Sequence, residues 1–96
     1  MLFEWDETKA AANKRKHRVS FDLATYVFDD PSHLCDFDRT KSGEDRYCTL
    51  GLVNQVVLLV SHCYRENENG ETIIRIISAR KATSKEKAIY EQRAFG

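Results

Sequence analysis

Thr72-Ile73-Ile74-Arg75-Ile76-Ile77-Ser78-Ala79-Arg80 sets four isoleucines among two arginines and a serine. That density of β-branched side chains favours extended backbone over helix. Apolar residues fall on both parities, Ile73, Ile77 and Ala79 against Ile74 and Ile76, which predicts a central strand covered on much of both faces. In an uninterrupted strand successive side chains alternate, so Arg75 and Arg80 are expected on opposite faces.

The segments before this strand supply its neighbours. Glu44 to Leu52 and Val56 to Tyr64 read as strands joined by a tight turn at Asn54-Gln55. Asn69-Gly70 then signals a second hairpin whose turn needs positive φ. If both hairpins are tight, Tyr47 lies opposite His62 and Val60 opposite Ala79. One face then carries Tyr47, Thr49, Val56, Leu58, Val60, His62, Ile73, Ile77 and Ala79, and is the one expected under the helices. The other carries Arg46, Cys48, Leu50, Leu59, Ser61, Cys63, Ile76, Ser78 and Arg80. A slip of one residue in either loop would exchange the two sets.

Upstream, Asp6 is a suitable N-cap for a helix from about Glu7 to His17, with Lys14 to Arg18 at its negative end. Ser20 caps a second helix in which Phe21, Leu23, Ala24, Val27 and Phe28 recur at helical spacing, ending before Asp29-Asp30-Pro31. His33 to Phe37 reads as a short strand and Asp38 to Gly43 as a polar loop. Thr83 and Glu86 form a capping box for a last helix through Tyr90 to about Ala94. The expected fold is α+β: two N-terminal helices packed on an antiparallel sheet of three to four strands, with a C-terminal helix.

At 96 residues the chain is expected to form one domain, residues 1–96. Apolar residues at 42% and charged residues at 31% fit a globular protein and exclude a disordered one. No apolar run is long enough to span a bilayer, and the acidic amino terminus does not resemble a signal peptide, so a cytoplasmic location without membrane attachment is expected. Cys35, Cys48 and Cys63 are odd in number and widely spaced, which predicts reduced, buried thiols. Charge is zero overall but uneven: residues 1–18 sum to +2, residues 19–74 to −6 and residues 75–96 to +4. Ends that meet in space would build a basic surface hidden by the total.

Phe3-Glu4-Trp5-Asp6, Lys9, Asn13, Lys16-His17, Val19-Ser20-Phe21, Val27-Phe28, Gly43-Glu44-Asp45-Arg46, Gly51 and Arg75-Ile76-Ile77-Ser78-Ala79-Arg80 followed by Glu86 and Tyr90 resemble the BrnT family over nearly the whole chain. The resemblance implies a RelE-like fold and a ribonuclease toxin of a type II toxin-antitoxin pair that stops translation. It implies neutralisation by a BrnA-like antitoxin, with operator DNA contacted only through that partner. The competing reading is a catalytically silent module that binds the antitoxin as co-repressor. One departure is Arg18, where many relatives carry glycine, a residue that enters a left-handed helix end at less cost.

An RNA-cleaving site without metal or other cofactor needs a base for the 2′-hydroxyl, stabilisation of the phosphorane and a proton for the 5′-oxygen. His17 is the histidine within a basic cluster and is expected to serve as base. Arg46 and Arg80 are expected to bind phosphate through their planar forks, about 15 Å apart from strand spacing and rise. Lys9, Asn13 and Lys16 share one face of the first helix. With Arg18, Arg75 and Ser78 they are the expected RNA contacts. Trp5 and Tyr90 fit the core better than a base-stacking role. His62 and Cys63 point to opposite faces and no Cys-x-x-Cys occurs, so no metal site is expected.

Overall fold

The computed structural model describes residues 1–95. In chain order the elements are β1 (Leu2–Glu4), α1 (Glu7–His17), α2 (Phe21–Ala24), a 3-10 helix (Thr25–Asp29), β2 (Leu34–Lys41), β3 (Glu44–Val53), β4 (Val56–Glu66), β5 (Thr72–Lys81) and α3 (Ser84–Phe95). The strands form one sheet in the order β1-β5-β4-β3-β2. β1 runs parallel to β5 and every other pairing is antiparallel.

The α+β class is as expected, but the sheet is mixed and five-stranded rather than antiparallel with three to four strands. Leu2 to Glu4 supplies the extra strand by pairing with Ile73 to Arg75. β4, not β5, is therefore the middle strand. The expected second helix is one α-turn that tightens into the 3-10 helix. Its apolar spacing still decides burial, since Phe21, Ala24, Val27 and Phe28 all lie in the core. The supposed loop after Phe37 is strand as far as Lys41, and both of its faces meet solvent, so no apolar alternation marks it.

The β3–β4 register is the expected one, Tyr47 opposite His62 and Val53 opposite Val56, closed by Asn54 and Gln55 at φ 48° and 69°. The β4–β5 register agrees only near the C-terminal end of β5, where Leu59 faces Arg80 and Val60 faces Ala79. A bulge follows Ser61, after which His62 pairs with Ile76 and Cys63 with Arg75. The connecting loop is longer than a two-residue turn, with Glu66 opposite Thr72. The bulge puts Ile74 and Ile76 in the core in place of Ile73 and Ile77. It also brings Arg75 onto the face that carries Arg80, against the simple alternation of an unbroken strand.

Leu58, Val60, Ile74, Ile76 and Ala79 pack against Val19, Phe21, Ala24, Val27 and Phe28, with Phe3, Trp5 and Ala10 at the margin. Each fully buried aliphatic or aromatic side chain here contributes about 1.5–3 kcal/mol. Gly51 admits the 3-10 helix to the sheet, because a Cβ there would sit 2.7 Å from both the Cβ and the carbonyl oxygen of Val27. On the opposite face α3 covers one end, where Tyr90 packs with Leu50 and Val57. The Tyr90 hydroxyl donates to Asp30, whose carboxylate also accepts from the Leu52 N–H at 2.8 Å. Burial pushes the Asp30 carboxyl up, but these bonds and one from the Ser32 N–H outweigh it and leave its pKa below the ordinary value. The rest of that face is open.

Candidate active site

The open face gathers cations at the end away from α3. Arg46 from β3, Arg65 from β4, Arg75 from β5 and Lys9 from the first turns of α1 line a cavity of about 220 Å³ with Asp6, Glu44, Ile76 and Ile77. Alternation in β3 and β4 puts Arg46 and Arg65 on this face, and the bulge in β5 adds Arg75. Lys9 reaches the cavity because Asp6 starts α1 there, its carboxylate accepting from the Lys9 N–H at 3.0 Å. That bond holds the Asp6 carboxyl below its ordinary range.

Carboxylates hold most of these guanidinium groups. Arg75 donates to Glu4 at 2.5 Å and Arg65 lies 3.8 Å from the same carboxylate. Arg46 Nε is 3.7 Å from Glu44, beyond hydrogen-bond reach, and is buried with no hydrogen-bond partner among the described residues. A buried cationic donor without a partner is costly unless a ligand completes it. Burial pushes the Cys63 thiol up, and the nearby Glu44 carboxylate adds to the effect. Burial likewise raises Cys48, which shares a contact of 3.6 Å with Ser61.

Arg80 occupies the same face further along β5. Its two terminal nitrogens donate to the two oxygens of Glu86 at 2.7 and 3.0 Å. Glu86 also accepts from the Thr83 N–H while Thr83 Oγ1 accepts from the Glu86 N–H, so the expected capping box is formed and doubles as the anchor of Arg80. The guanidinium holds the Glu86 carboxyl down at about 2. Arg80 in turn is held above its ordinary value by that carboxylate. Leu59 and Leu50 lie level with Arg80 across the sheet, so Arg46 is two strands and four positions away, about 15 Å.

A model of the ribonuclease toxin BrnT of type II toxin-antitoxin systems matches residues 5–86, a span that takes in every residue lining the cavity and ends on Glu86. The chain belongs to the BrnT family. No curated protein matches it. Membership gives RNA as the substrate class and an antitoxin as partner.

The residues singled out from the sequence of this BrnT member do not form one constellation. His17 is half-buried at the last turn of α1, about 12 Å along the helix from Lys9. Lys16 and Arg18 are exposed beside it, and Arg18 takes the left-handed cap at φ 62° that glycine would enter more readily. Asn13, expected on the exposed face of α1 with Lys9 and Lys16, is instead a buried joint. Its amide donates to the carbonyls of Val19 and Ala79 at 3.0 and 2.8 Å and accepts from the Ala79 N–H at 3.2 Å, completing the edge of β5 that β1 leaves uncovered. Ser78 is half-buried opposite Ser61 on the open face. Trp5 packs edge-on to Phe21 at the margin of the core, and Tyr90 is buried. Of the thiols, Cys63 is buried, Cys48 half-buried and Cys35 exposed, which corrects the expectation of three buried ones.

Glu4 and Arg65 were missed, while Glu44 was legible only as an acid available to pair with Arg46, which it does. Arg65 shares the parity of Cys63, so pairing of β3 with β4 carried a signal for it. Glu4 could not be placed without knowing that β1 joins the sheet. No group of three His, Cys, Asp or Glu side chains suited to a metal ion occurs among the described residues. None of the described helices is long and apolar enough to cross a membrane.

Proposed function

We propose that this chain is a metal-independent endoribonuclease whose scissile phosphate sits in the cavity between Lys9, Arg46, Arg65 and Arg75, and that a BrnA-like antitoxin neutralises it and alone contacts operator DNA. The observation that carries this reading is the buried Arg46 Nε with no hydrogen-bond partner, which a phosphate oxygen would complete. The ribose 2′-oxygen attacks the adjacent phosphorus, forming the P–O2′ bond and breaking P–O5′, and leaves a 2′,3′-cyclic phosphate and a 5′-hydroxyl. The guanidinium groups stabilise the phosphorane charge.

Proton transfer falls to the cavity's own groups. Asp6 is engaged as a helix cap and Glu4 accepts a hydrogen bond from Arg75, whereas Glu44 has Arg46 beside it at 3.7 Å without a hydrogen bond between them. Glu44 takes the 2′-hydroxyl proton and the Lys9 ammonium supplies one to O5′. His17, Lys16 and Arg18 then hold flanking RNA at the far end of α1, and Arg80 with Ser78 holds it along β5. Glu44→Gln should lower single-turnover cleavage at least 100-fold, and His17→Ala should change it less than tenfold. The reverse order would return the base to His17. Cleavage should survive a chelator.

The co-repressor reading draws on a different observation, that Arg75, Arg65 and Arg80 already have carboxylate partners and could be purely structural. Induction of the chain alone separates the two: growth arrest with RNA degradation supports the enzyme, and neither supports the silent module.

A further inference from the structure

A second concavity lies on the opposite face of the same sheet end, beyond the reach of α1 and the 3-10 helix. Phe37, Tyr47 and Tyr64 come from three adjacent strands, with Tyr47 at ring distances of 5.7 Å from Phe37 and 5.1 Å from Tyr64. Phe37 is 57% exposed and Tyr64 45%, far from the near-complete burial of the core aromatics. Tyr47 and Tyr64 line a hollow of about 430 Å³ with Glu44 and Asp45. Asp45 spends one oxygen on the Thr40 hydroxyl at 2.6 Å and keeps the other.

We infer that this aromatic, carboxylate-rimmed hollow is the docking site for a basic, partly apolar segment of the antitoxin, with an arginine or lysine side chain seated over Tyr47 and Tyr64. Aromatic faces attract a cation within about 6 Å, and adjacent carboxylates add to that attraction. The Asp45 carboxylate, with no arginine among the hollow's lining residues to balance it, repels RNA phosphate, so the rings do not serve as a base-stacking platform although their chemistry alone would suit one. Residues 19–74, which supply all of the hollow, carry a net −6, the complement of a basic segment. Interfaces concentrate tyrosine and arginine at their centres, and the half-exposed rings supply such a centre. The inference rests on the family's having an antitoxin and not on the reading of the arginine cavity.

The test measures affinity for the purified antitoxin by calorimetry and RNA cleavage by the toxin alone, for Tyr64→Ser combined with Asp45→Lys, and separately for Asp45→Asn, which can keep the Thr40 bond. Both changed side chains are exposed, and a thermal unfolding scan checks that the fold survives. The double variant should bind antitoxin at least 100-fold more weakly with cleavage within twofold of the parent. Asp45→Asn should weaken binding about threefold to tenfold and reduce its dependence on salt. Unchanged antitoxin affinity would overturn the inference. So would RNA binding lost with antitoxin binding kept, which would make the hollow a nucleic-acid site. Self-association lost with antitoxin binding kept would assign it to a second copy. The antitoxin measurement stands whether or not the chain cleaves RNA, so failure of the ribonuclease reading is seen separately.

Discussion

Two hollows flank the start of β3, and the four residues Glu44-Asp45-Arg46-Tyr47 help to build both. Arg46 turns into a cavity with Lys9, Arg65 and Arg75, whereas Asp45 and Tyr47 turn into an aromatic hollow with Tyr64. Strand alternation thus separates two opposite chemistries by the thickness of one sheet. A net charge of zero conceals this arrangement, because Lys9 and Arg75 of the basic ends meet Arg46 and Arg65 of the acidic middle on one face while Asp45 of that middle rims the other. A protein that must bind a polyanion and also be covered by a partner can in this way keep the two surfaces distinct.

The largest effect expected is on the cationic side. Arg46→Ala with Arg75→Ala should reduce cleavage by 10²–10³-fold or more, the range for removing a preorganised donor from a developing oxyanion. Antitoxin affinity should stay within about threefold. Equal losses of both in the double variant would mean that the two hollows are one functional surface.

The aromatic side carries its own titration. His62 is fully buried beneath Tyr47 and Tyr64, its Nε2 2.7 Å from Thr49 Oγ1. Burial lowers its pKa from 6.5 to about 4. Between those values the unfolded chain binds a proton that the folded chain refuses, so stability falls as pH drops from about 6.5 to 4. By linkage the loss is on the order of 3 kcal/mol. Urea midpoints at pH 7 and pH 4.5 should show it, and His62→Gln should remove that part of the slope while Arg46→Ala leaves it. An identical slope in His62→Gln would assign the acid sensitivity elsewhere.

Arg80 and Glu86 give a smaller effect of the same sign in a lower window. The Glu86 carboxyl, held at about 2, supports the fold fully above pH 4.5 and loses that contribution as pH falls through 2. The pair is part exposed, so its worth is discounted to about 1 kcal/mol or less. As a contact to flanking RNA outside the cavity, Arg80→Ala should weaken RNA cleavage about tenfold or less and lower the unfolding midpoint only slightly. Unchanged cleavage would make Arg80 an anchor for α3 and nothing more.

How far the sequence could carry these assignments depended on whether one register alone satisfied the apolar pattern. β3 and β4 alternate cleanly around a two-residue turn, so Tyr47 and Thr49 could be set beside His62 and Val60. β5 could not be treated in this way, because Ile73, Ile74, Ile76 and Ile77 satisfy either parity and leave the bulge unmarked. The cavity was missed for that reason, since it exists only if Arg75 turns to the face of Arg46. β2 was half missed because an exposed edge strand carries no apolar signal. Asn13 looked like a surface residue, for nothing in its neighbours shows that α1 lies against the uncovered edge of β5.

The smallest effect tests whether the basic end of α1 extends the cationic side. Lys16 and Arg18 are exposed at the end of the helix whose start supplies Lys9, and no ion pair engages them among the described residues. RNA crossing the cavity and continuing along α1 would meet them after about 12 Å, the rise from Lys9 to the last turn. Each phosphate neutralised on a single strand contributes about 0.7 to the slope of log affinity against log salt. Lys16→Ala with Arg18→Ala should therefore flatten that slope by about 0.7 to 1.4 without changing the antitoxin's own salt dependence. Arg18→Gly adds a control, because glycine suits the left-handed cap at φ 62° and should stabilise the helix end while removing one charge. If the double variant leaves the RNA slope unchanged, the strand leaves the cavity by another route, and the cationic surface ends at Lys9.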